Sequence, residues 1–538
     1  MPKIALFDFK GRVPKVSSKL LPNEFAQTAT NCDLRSGNLQ AISDLENSSN
    51  LGTGTDYRSI YKLGSVWATW TGDIDVVRSL IYQTDNKILY TGDSYPKQTN
   101  STLWADSEDF LRLGIVPPST ALTITLIDVG SGTTDIQATV SYVYTYVSGD
   151  GEESAPNTAT AAVDIPNNKY VRLTGFTAPA GANKNNITHF NIYRLASGTL
   201  GAEYQFLEQV AYTTSTHNDY DAGTGLLDEV STDVLATEDW IQPDSSLSGL
   251  TQFANGMVAG FVDNEVYFCE PFIPYAYPSD YMLSFDSDVV AIAAYNESLI
   301  VITETKPYIV SGLDPQTMSV TELPYDQGCV SKNGAVETPE GVVYPSPDGL
   351  ILVNATSAVN LTEKIFTKKQ WAALTPANLI GFYYDNEYYG FFSGTATGFI
   401  LRNDSIVDLN LGSSLVYGGY IDPTNDKLYL LTKRDTTYYI DAFEDSSSSL
   451  TYTYKSKKFY VPYPINYACG KIFGTFGSVT FKFYSDGVLK STQTITTNSM
   501  FRLPSGFLTS EYVEFQLEST ATVDAVIIAT STKDLQIV

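Results

Sequence analysis

Six times along this chain a polar turn opens onto a Tyr- or Val-rich apolar run, and a second turn leads into another run. The copies are "DNKILYTGDS" from Asp85, "DNEVYFCEPF" from Asp263, "YNESLIVITETKPYIV" from Tyr295, "PEGVVYPSPDGLILV" from Pro339, "DNEYYGFFSGTATGFIL" from Asp385 and "NDKLYLLTKRDTTYYI" from Asn425. From Asp263 onward the steps are 32, 44, 46 and 40 residues. A four-stranded propeller blade takes about 40 to 45 residues, so the period fits one blade per copy. One such sheet cannot cover both of its faces, whereas neighbours stacked round an axis can, and closing the ring leaves only short edges exposed. The pattern therefore predicts an all-β fold, a β-propeller of about six blades, with five or seven also compatible. A solenoid is the competing architecture, but it calls for a more regular period.

The rest of the chain agrees with this class. Runs of four to eight residues alternate apolar and polar side chains, are rich in Val, Ile, Thr and Tyr, and stop at Gly, Asn, Asp or Pro. Helical spacing shows only at residues 23–31 and 364–373. The step from Asp85 to Asp263 is too long for one blade, and residues 118–235 fill it with strands at roughly 10-residue spacing, the signature of a small β-sandwich. The strand "YVYTY", the following "GEESAP" and the later "FNIYR" resemble a fibronectin type III domain. Beyond the four serines at 446–449, taken as a linker, the strand pattern resumes, with Ser485-Asp486-Gly487 as a tight hairpin turn. The expected organisation is an N-terminal segment with the first blade or blades over 1–117, the inserted fibronectin III-like sandwich over 118–235, the remaining blades over 236–445, and a C-terminal β-sandwich over 450–538.

Charge and motifs narrow the function. With 33 Lys and Arg against 60 Asp and Glu, the net charge is -27, which argues against a reader of nucleic acid held by phosphate contacts. The opening "MPKIALFDFKGR" carries charges where a signal peptide needs an apolar core, and no run approaches the roughly 18 apolar residues of a membrane helix. The sequence reads as a soluble chain made inside a cell. Cys32, Cys269, Cys329 and Cys469 are far apart and form no CxxC, and with only His189 and His217 available a zinc site has few ligands to draw on. The same two histidines are the only bases for a serine nucleophile, and no GxSxG lies near them; His217 is expected on a surface turn beside Asn218 and Asp219. No phosphate-cradling glycine motif opens a helix. Asp219 and Asp221, and likewise Asp286 and Asp288, have the i, i+2 spacing of a calcium loop, but no third acid or closing Glu stands in register, so turn and capping roles explain them.

Two carboxylates flanking a cleft would make a glycosidase, and several propellers work this way. Asp263, Asp385 and Asp426, however, all begin blade turns, which accounts for them without catalysis. Trp104, Trp240 and Trp371 either stack on sugars or fill blade interfaces, and packing is the commoner use of such rings.

Three stretches, "LPNEFAQTATNCDLRSGNLQAI", "GCVSKNGAVETPEGVVYPSPDGLILVN" and "FRLPSGFLTSEYVEFQLESTATVDAVIIA", together resemble virion proteins of the tail-tube and nozzle group of short-tailed phages and prophages. The resemblance, which is to a tail tubular protein B-like family, implies a structural protein rather than an enzyme and brings no catalytic residues; the residues themselves lead to the expectation of no cofactor and no metal. It implies a homo-oligomer, a ring of six copies, at the distal end of the tail in the virion, synthesised in the host cytoplasm. That ring would dock to a tail adaptor protein, carry tail fibres or spikes, and surround DNA passing through its lumen without specific binding and without membrane insertion of its own. An acidic lumen would repel phosphate and let DNA slide. The alternatives from other classes are a propeller that binds receptor or carbohydrate, and a glycan depolymerase.

Overall fold

The computed structural model describes residues 3–80, 86–107, 110–179, 185–198 and 201–535. Among them are six four-stranded antiparallel sheets, numbered here as blades. Blade one runs from Asp75–Arg78 to Leu111–Arg112, blade two from Ser248–Phe253 to Met282–Ser284, and blade three from Val289–Tyr295 to Ser319–Glu322. Blade four runs from Val336–Thr338 to Ala358–Asn360 and blade five from Leu379–Tyr384 to Ser405–Asn410. Blade six takes three strands from Leu415–Asp422, Lys427–Arg434 and Thr437–Ala442, and its fourth from the distant segment Glu46–Thr53. The first strands of successive blades lie side by side, and a hairpin, Ser59–Leu63 with Val66–Trp70, stands between blades six and one. The protein is a β-propeller of six four-stranded blades, with the hairpin occupying a seventh position in the ring.

Burial follows from this stacking. Leu299, Val301 and Val310 of blade three pack toward blade two, while Ile300, Ile302 and Ile309 of the same strands face Val342, Tyr344 and Ile351 of blade four. Alternate residues of one strand thus serve two different cores, which is why these strands read as continuous apolar runs. The hairpin joins blade one through Trp70, Tyr90 and Trp104, and Ser59 Oγ donates to Gly72 O at 2.9 Å.

The sequence repeat marks the hairpin between the first and second strands of a blade. Asn296, Asp385, Asn386 and Asp426 sit there at positive φ, between 47° and 61°, a conformation that Asn and Asp tolerate better than other L residues. Asp263 instead turns between the second and third strands of blade two. The short first step of the repeat arises from that offset. Asp85, which opens the first copy, lies outside the described residues.

The insertion folds as a β-sandwich. Its sheets are Thr123–Asp128 with Lys169–Thr174 and Thr216–Asp219, Ile136–Val140 with Val163–Pro166, and Tyr142–Ser148 with Ile187–Gly198 and Gly201–Ala211. They enclose a core of their own around Tyr142, Tyr144, Ile165, Phe190 and Ile192.

The two ends of the chain form one unit. Lys3–Leu6 pairs with Thr522–Ala529, and Phe25–Thr30 pairs with Tyr452–Ser456 on one side while meeting Ser405–Asn410 of blade five on the other. An eleven-stranded sheet therefore runs from blade five through Lys10–Arg12 and Phe25–Thr30 into the C-terminal strands. Residues 3–41 belong with the C-terminal sandwich and not with the first blade. Helical spacing at 23–31 is overruled for the same reason: the backbone groups of Phe25–Thr30 are taken up by strands some four hundred residues away in sequence. The second helical expectation is met by a short helix, Lys368–Ala372, opened by a capping box between Thr367 and Gln370. The four serines are stitched rather than free, since Asp44 N donates to Ser448 O at 2.9 Å and Leu450 N to Ile42 O at 2.9 Å.

Candidate functional site

Two places gather charged side chains in the propeller, its axis and its junction with the terminal unit. At the axis, Lys332 precedes the first strand of blade four, and Asp75 opens the first strand of blade one across the ring. Lys332 Nζ lies 2.8 and 2.9 Å from the two Asp75 oxygens and 3.2 Å from Asp73. Gly249 N, from blade two, donates to Asp75 at 2.7 Å. Burial alone would push the Lys332 ammonium toward neutrality, but the carboxylates of Asp75 and Asp73 overcome it and raise its pKa. Beside this bridge a cavity of about 140 Å³ is bounded by Arg58, Ile74, Asn333, Phe382 and Gly418. The ion pair thus links blades one and four, and the Gly249 hydrogen bond adds blade two.

At the junction a larger cavity, about 620 Å³, is lined by Asp8, Lys10, Arg35, Asp385, Arg402 and Asp404, among others. Arg35 pairs with Asp33 at 2.9 Å, with Asp385, and with Glu444 at 3.5 Å; Arg402 pairs with Glu387 at 2.9 Å and Asp33 at 3.4 Å. Four carboxylates share two guanidinium groups. Burial raises the pKa of Glu387 and of Glu444. It would raise Asp33 too, but hydrogen bonds from Arg35 outweigh it and hold that carboxyl below the usual range. The residues come from the N-terminal segment, blade five and the end of blade six, so the cluster pins the terminal unit to the ring. A carboxyl raised by burial beside one held low by hydrogen bonds is also the raw material of acid–base chemistry.

The residues singled out from sequence are otherwise dispersed. His189 lies in Ile187–Gly198 and its Nδ1 contacts Thr188 Oγ1 at 2.9 Å. His217 is not on a surface turn: it is buried in Thr216–Asp219, with Nδ1 3.2 Å from Glu208. Alternation within that strand turns His217 and Asp219 inward together. Asp219 is fully buried and accepts from Tyr142 Oη at 2.5 Å and Arg194 at 2.6 Å. Asp221 caps its own turn by accepting from Gly223 N at 2.8 Å, and Asp286 accepts from Tyr308 Oη at 3.3 Å. No group of three His, Cys, Asp or Glu side chains arranged to hold a metal occurs among the described residues. The four cysteines are buried and unpaired with one another.

Trp371 is fully buried, donates through Nε1 to Ser346 O at 2.8 Å, and packs on Phe366 and Phe399. Trp104 packs on Trp70 at 5.0 Å. Trp240 is half-buried, edge-on to Tyr275 at 5.9 Å. Sequence reasoning reached Asp385 through the repeat but missed Arg35, Arg402, Glu387 and Glu444, because nothing local distinguishes them from surface charges.

No family model matches the chain, and no curated protein matches it. Among solved structures it is similar to the WD40 domain of Neurospora crassa Pan2, at 10% identity and a TM-score of 0.27 over 52% of this chain and 86% of that one. It is also similar to the Myxococcus xanthus glutaminyl cyclase, at 11% identity and a TM-score of 0.22 over 37% and 90%. A third likeness is to the extracellular domain of the one component system BT4673 from B. thetaiotaomicron, at 9% identity and a TM-score of 0.26 over 90% and 78%. Scores this low carry no functional argument.

Proposed function

We propose that this chain is a structural subunit of a phage tail, a nozzle component that forms a ring of identical copies around the DNA-ejection channel, docks to a tail adaptor and carries fibres or spikes. The observation that carries the reading is the mechanical design of the chain, a closed ring whose two ends are woven into one sheet that is itself continuous with a blade. Two of the three stretches that resemble phage tail proteins, 21–42 and 501–529, are the strands that make this weave. A wall element has to resist force along many hydrogen bonds at once, and interior strands paired on both sides do so. The ion pair between blades one and four at the propeller axis fits a passage for DNA that lies between copies of the chain and not through any one propeller. With a net charge of -27 the walls repel phosphate and leave the passage free of adhesion.

The deciding experiment is a cryo-EM map of purified virions together with mass spectrometry of their proteins. Density for this propeller in a ring at the tail tip supports the proposal, and absence of the chain from intact particles defeats it. A depolymerase is the second reading, favoured by Glu387, whose carboxyl is raised by burial and which lines the junction cavity together with Asp385 and Asp404. It requires release of reducing ends from host glycans, abolished in Glu387→Gln.

A further inference from the structure

The charge of this chain is not spread evenly. Residues 1–45 and 450–538, which build the terminal unit, hold 14 Lys and Arg against 10 Asp and Glu, whereas residues 46–449 hold 19 against 50. A mildly basic unit thus rides on a strongly acidic body. The terminal unit also ends in an open sheet edge: Val488–Ile495 is hydrogen-bonded to Val479–Ser485 on one side and to no other strand among the described residues. Around this edge Val488, Leu489, Met500 and Leu508 are exposed, between 43% and 59%. Lys490 and Arg502 are exposed among them, the Lys490 ammonium 5.0 Å from the Phe507 ring. Edges of this kind are ordinarily shielded by charge, by a bulge or by a covering element; here one Lys in eight residues, Lys490, is the only charge on the strand and sits at a break in its register, while the outer side pairs with no strand among the described residues.

The body carries a surface of the opposite kind. A cleft of about 430 Å³ where the sandwich rejoins blade two is lined by Glu238, Asp239, Glu270 and Asp280 with Trp240 and Tyr281, and no Lys, Arg or His lines it. Ile241 and Phe272, next to these residues in sequence, are 42% and 55% exposed. Exposed apolar groups thus stand beside carboxylates on the body, and beside Lys490 and Arg502, with Asp486 next to Lys490, on the terminal unit.

We propose that the open edge of the terminal unit, residues 488–508, docks onto the acidic cleft of the body in a second copy of this chain. The contact joins two different patches, so it is heterologous, and repetition of one such contact closes a ring when the rotation fits. It rests on the ring reading above and names the surfaces that make the ring. Apolar contact supplies the adhesion, and the charges set the register and speed of encounter.

The test is sedimentation velocity of the full chain at increasing concentration and NaCl, using the wild type, Lys490→Glu/Arg502→Glu and Asp239→Lys/Asp280→Lys, with circular dichroism and melting curves to confirm that each variant folds. All four side chains are exposed, so folding is expected to be unchanged. The proposal expects self-association that weakens as salt rises, about ten-fold weaker association in either variant, and recovery of a one-to-one complex when the two variants are mixed. A wild type that stays monomeric at low salt overturns it, as does association insensitive to both reversals or a mixture that fails to recover. Duplex DNA captured through Lys490 and Arg502 in place of a second copy also overturns it. None of these results depends on finding the chain in virions, so the failure of this contact and the failure of the tail role are separable.

Discussion

The inserted sandwich and the terminal unit are both β-sandwiches attached to the same propeller, yet they are attached in opposite ways. The sandwich is grafted. It keeps its own core and meets blade one through a compact polar contact, in which Lys87 Nζ lies 3.1 Å from Glu152, Gln98 donates to the other Glu152 oxygen at 3.0 Å, and the Asn185 side chain binds Arg112 and Gly114 backbone. The terminal unit is woven. Its core runs without a break from Phe481 and Phe515 through Ala29 and Tyr454 to Phe391 and Leu430 of blades five and six, and Arg12 grips Asp408 of blade five through two hydrogen bonds of 2.5 and 2.7 Å. A graft transmits orientation through a few specific bonds, whereas a weave shares its folding free energy with its host.

The largest expected contrast follows from deletion. Removing residues 1–45 takes two strands from the interior of the eleven-stranded sheet, and the chain is expected to yield no folded monomer by gel filtration and circular dichroism. Replacing residues 118–235 by a short linker is expected to leave the propeller folded. A stable chain lacking 1–45 would break the distinction.

Single side chains sharpen it. Trp371→Ala in blade five's apolar cluster empties a fully enclosed site and is expected to cost about 3–5 kcal/mol in chemical denaturation. Glu152→Gln takes the nearer, buried carboxylate from Lys87 and leaves it Asp150 at 3.4 Å, so it is expected to cost less than the about 3–5 kcal/mol of breaking a buried pair outright. Hydrogen exchange should register that loss as faster opening of the sandwich–blade one contact, with the terminal unit unchanged. Equal acceleration in both regions would refute a local graft.

The smallest effect is a pH slope. Glu387 and Glu444 have carboxyls raised by burial in the folded chain, so the folded state takes up protons before the unfolded state does, and stability rises as pH falls through that window above the ordinary Glu value of 4.5. Asp33 and Asp486 are depressed, Asp486 because three backbone N–H groups outweigh its burial, and their contribution is lost only as pH falls below the ordinary Asp value of 3.8. Over the range just above the ordinary Glu value, melting temperature should therefore climb as acid is added, and Glu387→Gln should flatten the climb.

Much of this was legible in the sequence. Alternation identified the strands, the turn repeat identified the blades, and Ser485-Asp486-Gly487 does form a two-residue hairpin turn, with φ of 49° at Asp486 and 78° at Gly487. These features are local: a turn needs its own residues to tolerate positive φ, and a strand between two cores needs apolar groups on both faces. Partners distant in sequence could not be read in the same way. That Glu46–Thr53 closes blade six, that Phe25–Thr30 is a strand and not a helix, that Lys332 reaches Asp75 across the axis, and that Arg35 gathers carboxylates from two blades all depend on which backbone and charged groups the folded chain brings together. Sequence by itself determined the class of fold and its repeating unit, because sterics and periodicity act over a few residues; the tertiary structure alone decided which ends meet and which charges are buried together, because hydrogen bonds and ion pairs are satisfied by proximity in space.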